Sequence, residues 1–166
     1  GDPITGLRVE NVKISNLEGK HGEGKAVHGI QVEYATAPVI RLNHIEALQG
    51  GNGQTSSICC NFPGHAYGLR LVQSPDAQVE GNHFENLRGG GMLLGSINTN
   101  HVKPGGDARG IYAEAAPGAL FSGNSFTDFQ GGRGGYYGSS RAARSGVGVA
   151  FYIQDSPNLE IRNNTL

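Results

Sequence analysis

A repeated apolar pattern constrains this chain more than any other feature. Gly29-Ile30-Gln31-Val32, Gly68-Leu69-Arg70-Leu71 and Gly110-Ile111-Tyr112-Ala113 open three copies. They run to Leu48-Gln49-Gly50-Gly51, Leu87-Arg88-Gly89-Gly90 and Phe129-Gln130-Gly131-Gly132. A fourth copy begins at Ala150-Phe151-Tyr152-Ile153 and stops at Leu166, and a partial copy runs from about Ile4 to Leu17. Within each copy apolar and polar residues alternate, which is the period of a strand with one buried face.

Three short strands per copy follow from the alternation. The first carries Ile30/Val32, Leu69/Leu71, Ile111/Ala113 and Phe151/Ile153 inward, and the second Leu7/Val9, Pro38/Ile40, Ala77/Val79, Ala119/Phe121 and Leu159/Ile161. The third carries Ile14, Ile45, Phe84, Phe126 and Leu166, with Leu17, Leu48, Leu87 and Phe129 three residues on. Similar side chains recur in each column, so copies stacked about 4.8 Å apart would share one core. The expected fold is an all-β solenoid of about four to five rungs, one unit over residues 1–166.

The turn residues agree. Ser74-Pro75, Ala116-Pro117 and Ser156-Pro157 separate the first strands from the second, where Pro sets a turn and cannot continue a ladder. Asn43, Gly81-Asn82, Gly123-Asn124 and Asn163-Asn164 separate the second from the third, and Asn or Gly tolerates the left-handed backbone of a tight corner. Stacked at that corner, Asn43, Asn82, Asn124 and Asn164 are expected to hydrogen-bond from rung to rung, a structural role.

This unit resembles the parallel β-helix repeat family, whose unit reads Gly-Ile, a Ser/Asn/Pro turn, then Gly-Asn-x-Ile. Gly110-Ile111, Pro117 and Gly123-Asn124-Ser125-Phe126 carry the resemblance, which extends over nearly the whole chain. It implies a right-handed parallel β-helix like that of pectate lyases, polygalacturonases and surface or phage β-helix proteins, in an extracellular or cell-surface location. The family spans lyases, hydrolases, epimerases, adhesins and structural spikes, so the resemblance bears on fold more than on activity.

Long connectors at 18–28, 49–67, 88–109 and 130–149 exceed what a minimal repeat needs and are rich in Gly, Ser and Asn. They are expected to leave at one corner as loops that begin with a short strand piece, such as Ser57-Ile58-Cys59-Cys60 or Met92-Leu93-Leu94. Such loops would flank the outer side of the first strands, whose outward columns are Gln31, Arg70, Tyr112, Tyr152 and Glu33, Val72, Glu114, Gln154. The resemblance implies that this face holds polysaccharide, with Gln31, Arg70, Tyr112 and Tyr152 as the carbohydrate-binding surface.

An enzyme would use Glu33 or Glu114 as acid and Arg70 as a uronate-binding or proton-abstracting cation. Inverting hydrolysis needs carboxylates about 6.5–9.5 Å apart. Glu33 and Glu114 are expected two rungs apart, about 10 Å, with Arg70 between them more simply balancing charge. A lyase would want clustered acids for calcium beside a basic residue, and Asp107 near Lys103 and Arg109 makes no such cluster.

The remaining residues say less. His44 and His83 share an outward column, as a metal or pH-sensitive pair or simply a solvated one, and neither a metal site nor a cofactor is assigned. Arg41 beside Glu80 reads as a surface pair. Adjacent Cys59 and Cys60 leave open a thiol pair, a vicinal disulfide or metal binding. A net charge of −1 with 13 Lys+Arg gives no footprint for nucleic acid. No apolar run approaches the roughly 20 residues that span a bilayer.

Gly1-Asp2-Pro3-Ile4 is not a leader, so any signal peptide is expected to be removed or to lie elsewhere. Neither end carries a recognisable cap, which fits a piece of a longer protein or copies assembled end to end. The function expected first is a structural or adhesive segment of a secreted or cell-surface protein, with self-association into a fibre as one mode. The alternative is a polysaccharide-active lyase or glycoside hydrolase, or a carbohydrate-binding segment, and whether the chain is an enzyme stays open.

Overall fold

The computed structural model describes residues 2–20, 23–54, 63–93, 105–134, 136–137, 141–142 and 144–166. Each copy of the repeat gives a strand to parallel sheets that run through the stack. The first sheet holds Val27–Glu33, Ala66–Val72, Ala108–Glu114 and Gly148–Gln154. The second holds Arg8–Glu10, Val39–Arg41, Gln78–Glu80, Leu120–Ser122 and Glu160–Arg162. The third holds Lys13–Glu18, His44–Gln49, His83–Arg88 and Ser125–Gln130. No helix occurs among the described residues, and so none is long and apolar enough to cross a membrane. This all-β architecture of parallel strands in stacked sheets is compatible with a β-helix or solenoid.

Register places like on like. Ile30, Leu69, Ile111 and Phe151 pair in succession along the first sheet, and Val9, Ile40, Val79, Phe121 and Ile161 along the second. Leu69, Ile111, Val79, Phe84 and Phe121 are fully buried. Phe84 stacks on Phe126 with centroids 5.2 Å apart and rings 10° from parallel. The first-strand glycines make room for these rings: a Cβ at Gly68 would lie 2.4 Å from Phe84 Cδ1, and one at Gly110 2.6 Å from Phe126 Cδ1.

Left-handed residues recur in columns and turn every copy at the same places. At the second corner the sequence leaves the left-handed role to either member of each Asn/Gly pair, and the structure divides the labour. Asn11, Leu42, Gly81, Gly123 and Asn163 take φ of 55°, 54°, 60°, 61° and 54°. The residue after each of the last four, Asn43, Asn82, Asn124 or Asn164, carries the side-chain ladder instead. A further column, Asn16, Ala47, Asn86 and Asp128, sits at φ 57°, 53°, 52° and 54° inside the third strands. A left-handed residue resets the in-and-out alternation, which is why the inward positions there are three residues apart rather than two.

The connectors begin differently from open loops. Gly51 N–H donates to Lys25 O, Gly64 to Gly51, Gly90 to Gly64, Gly106 to Gly90, Gly132 to Gly106 and Gly146 to Gly132, all at 2.8–2.9 Å. Outgoing and returning limbs therefore interleave in one glycine seam that pinches each connector at its base. A Cβ at Gly90 would lie 2.1 Å from Gly51 O, so no other residue fits. Beyond the seam Gly53–Gln54 pairs in parallel with Met92–Leu93, and Tyr136–Tyr137 pairs antiparallel with Arg141–Ala142. Ser57, Ile58, Cys59, Cys60, Leu94 and Lys103 lie outside the described residues.

Candidate functional site

The outer face of the first sheet gathers aromatic and charged side chains. Its outward side chains form columns because strand neighbours on one face stand about 4.8 Å apart from copy to copy. Register puts Gln31, Arg70, Tyr112 and Tyr152 in one column and His28, Tyr67, Arg109 and Val149 in another, across the glycine position.

Rings line up along these columns. Tyr112 and Tyr152 stack at 5.4 Å with planes 10° apart, and Tyr152 stays 41 % exposed. His28 stacks on Tyr67 at 4.9 Å, and Tyr67 meets Tyr112 edge-on at 5.5 Å. Arg109 lies among them, its Cζ 4.2 Å from the Tyr152 centroid and 5.5 Å from those of Tyr67 and Tyr112, distances at which a guanidinium is attracted to the ring faces.

Arg109 is anchored from the neck. Its Nη2 meets Asp107 Oδ2 at 2.6 Å, and Asp107 Oδ1 accepts the Val147 N–H at 3.1 Å. Burial works against the ionised Asp107, but the Val147 N–H and the Arg109 guanidinium outweigh it and hold the carboxyl below its usual range. The Asp107 N–H in turn donates to His65 Nδ1 at 2.8 Å. That ring nitrogen must therefore keep its lone pair, and burial followed by the Arg109 charge pushes the His65 pKa down. Burial also raises Tyr67.

The two acids proposed for catalysis are already engaged. Glu33 is ion-paired with Arg70 and also accepts the Gln31 side-chain amide at 2.8 Å. Glu114 accepts the Tyr112 hydroxyl at 2.6 Å, and this bond, with burial, raises the phenol to about 12. Val72 stands between the two carboxylates in register. The fold thus brings Gln31, Arg70 and Glu33 together, and Tyr112, Tyr152 and Glu114 together, without convergence of Glu33 and Glu114 on one point.

Sequence reasoning missed Tyr67, His65 and Arg109 as parts of this face. The signal was present one step before the repeat's opening glycine, where His28, Tyr67 and Arg109 align. The ion pair that Arg41 makes is with Glu10, at 3.0 Å, while Glu80 faces it in register and accepts Ser122 Oγ at 3.5 Å. On the third sheet His44 and His83 are neighbours, with centroids 4.8 Å apart. Beside the neck an open groove is lined by Gln49, Arg88, Gln130 and Arg133, and its Arg88 is held by Asp128 at 2.9 Å.

Compared with known proteins, the chain matches no family model, no curated protein and no solved structure.

Proposed function

We propose that this chain is a stretch of right-handed parallel β-helix, about four to five rungs of the pectate-lyase-like kind. It serves as a structural and adhesive element of a secreted or cell-surface protein and holds polysaccharide on its first-sheet face without cleaving it. Like-on-like register through three parallel sheets supports the coil, and the extracellular setting follows from the repeat resemblance alone.

The engagement of the two acids carries the choice of binding over cleavage. An inverting hydrolase needs one carboxyl kept protonated and another free to activate water. Here Glu33 is spent on Arg70 and Glu114 on the Tyr112 hydroxyl. What the face offers outward is the Tyr112/Tyr152 pair, a flat apolar surface suited to the C–H face of a sugar ring. Arg70 and Arg109 are both matched by carboxylates, so stacking rather than charge governs affinity, and neutral chains bind at least as well as uronates.

The test pairs affinity electrophoresis on neutral and acidic polysaccharides with an assay for new reducing ends. Binding to a neutral glycan is expected, weakened about tenfold by Tyr152→Ala, which is about 1.4 kcal/mol, and barely altered by salt. Cleavage abolished by Glu33→Gln or Glu114→Gln would overturn the reading, and so would indifference of binding to Tyr152.

A second reading concerns the flat faces of the stack. Ile40, Val79 and Phe121 are fully buried, whereas Ile161 in the same column is 46 % exposed and Leu166 83 %. We infer that copies of the chain meet end to end over this apolar face rather than leave it open to solvent. Light scattering and negative-stain microscopy over a range of concentrations test this: particles that lengthen end to end support association of copies, and a monomer throughout excludes it.

A further inference from the structure

We propose that the outer face of the third sheet binds one divalent transition-metal ion of the zinc class between His44, His83 and Glu85. This site shares no residue with the first-sheet face and does not depend on the polysaccharide reading. Register pairs His83 with His44 and Glu85 with Glu46, so two imidazoles occupy one column and two carboxylates the next. Residues two apart on a strand share a face. A His-x-Glu sequence repeated on neighbouring strands therefore encloses a small square of ligand atoms.

The distances suit an ion. One ligand atom from each of His44, His83 and Glu85 lies within 4.8 Å of the other two. Glu85 Oε2 is 3.3 Å from His83 Nε2 and 3.9 Å from His44 Nε2. Ligands at about 2.0–2.1 Å from a tetrahedral zinc stand roughly 3.4 Å apart, so side-chain rotations of about an ångström complete the set.

An observation independent of the spacing points the same way. His44 Nε2 is shut off from solvent and has no hydrogen-bond partner. Glu46 Oε2 lies 3.0 Å from it, outside the angular range of a hydrogen bond although close enough to favour the Glu46 charge. Buried ring nitrogens are normally satisfied, and a cation shared with Glu85 satisfies this one. His83 is oriented for the same task, because its Nδ1 is 2.6 Å from Ser125 Oγ while its Nε2 faces Glu85. Such outer partners fix the tautomer and aim of metal-ligating imidazoles.

The surroundings set the preference among ions. Lys13 holds the other oxygen of Glu46 at 2.8 Å, leaving Glu46 Oε2 or a water to fill a fourth position. Two imidazoles and a carboxylate favour zinc, copper or nickel over calcium and magnesium, which take mostly oxygen ligands. Bound there, the ion ties the strand His44–Gln49 to the strand His83–Arg88.

The experiment uses the whole chain stripped with EDTA, titrated with Zn²⁺ by calorimetry and with Co²⁺ by visible absorption. One ion per chain is expected, with a cobalt spectrum of low coordination number, no competition from Mg²⁺ or Ca²⁺, and affinity that falls as the imidazoles protonate. His83→Gln and Glu85→Gln should each weaken binding at least about a hundredfold, and Ser125→Ala about tenfold. Circular dichroism identifies which variants fold, and either ligand variant suffices for the comparison. Zinc bound with unchanged affinity by a folded His83→Gln or Glu85→Gln variant places the ion elsewhere and overturns the proposal, as does failure of the parent chain to bind zinc at micromolar concentration.

Discussion

Asn82 holds Asn43 through a single oxygen: its Oδ1 accepts both the backbone N–H of Asn43, at 3.0 Å, and the Asn43 side-chain amide, at 2.9 Å. Asn124 holds Asn82 in the same way, and Asn164 holds Asn124. Each amide also donates to a second-strand carbonyl, Val9 for Asn43, Ile40 for Asn82, Val79 for Asn124 and Phe121 for Asn164. The corner is thus a continuous polar ladder inside an apolar stack, and its members satisfy one another.

Breaking one member should be costly for that reason. Asn82→Ala leaves both Asn43 donors and the Ile40 carbonyl short of a partner, and a loss of about 3 kcal/mol in urea unfolding is expected. Asn82→Asp should do at least as much harm, because a carboxylate cannot donate to Ile40 O or Asn124 Oδ1. A loss under about 1 kcal/mol in either variant would mean that water can replace the ladder.

Glycines at the neck and at the corner should respond differently to a methyl group. Gly123 has φ +61° and nothing nearer than 3.8 Å to an added Cβ, so Gly123→Ala should cost only the left-handed backbone penalty of about 1–2 kcal/mol. Gly90→Ala would press a Cβ to 2.1 Å from a backbone carbonyl. Overpacking costs about 1–3 kcal/mol where side chains can yield, and backbone yields less, so the loss at Gly90 should exceed that at Gly123 clearly in thermal melts. Equal losses would refute the seam.

Stability should fall as pH is lowered from 7 towards 5. His65 has a folded pKa below its unfolded value, so the unfolded chain takes up the proton first. Its contribution is complete above the unfolded value of about 6.5 and is lost as pH falls through that value towards the folded one. His28, lowered by burial and then by Arg70, adds in the same direction. Asp107, also held low, contributes above about pH 3.9 and is lost only in stronger acid. His65→Asn keeps an acceptor for the Asp107 N–H but cannot titrate, and a series of melts should show a flatter pH dependence for it. An unchanged slope would assign the effect to other groups.

Leu42 offers a gain rather than a loss. It sits at φ 54°, 59 % exposed, in a column otherwise filled by Asn11, Gly81, Gly123 and Asn163. Asn tolerates this backbone better than Leu, so Leu42→Asn should raise the urea midpoint by an amount equivalent to about 0.5–1 kcal/mol. A lower midpoint would show that the Leu42 side chain contributes more by packing than its backbone costs.

Part of the candidate site was legible beforehand. Alternation alone placed Gln31, Arg70, Tyr112 and Tyr152 on one outward column, because the direction of a strand residue depends only on its parity within the strand. His65, Asp107 and Arg109 were harder to find. Asp107 N–H reaches His65 Nδ1 across 42 residues of sequence, and the bond depends on how the glycine seam draws the connector limbs together.

What the sequence determined by itself was the set of inward columns, since period-two alternation and a repeated turn are local properties that survive in any stacking of the copies. Only the tertiary structure decided which outward side chains meet. Arg41 could turn to Glu80 or Glu10 and takes Glu10. Likewise Glu85 joins His44 and His83 because register sets His83 beside His44 and Glu85 beside Glu46. Such choices rest on register, corner angles and the reach of side chains on neighbouring copies, none of which is encoded in any single stretch of the chain.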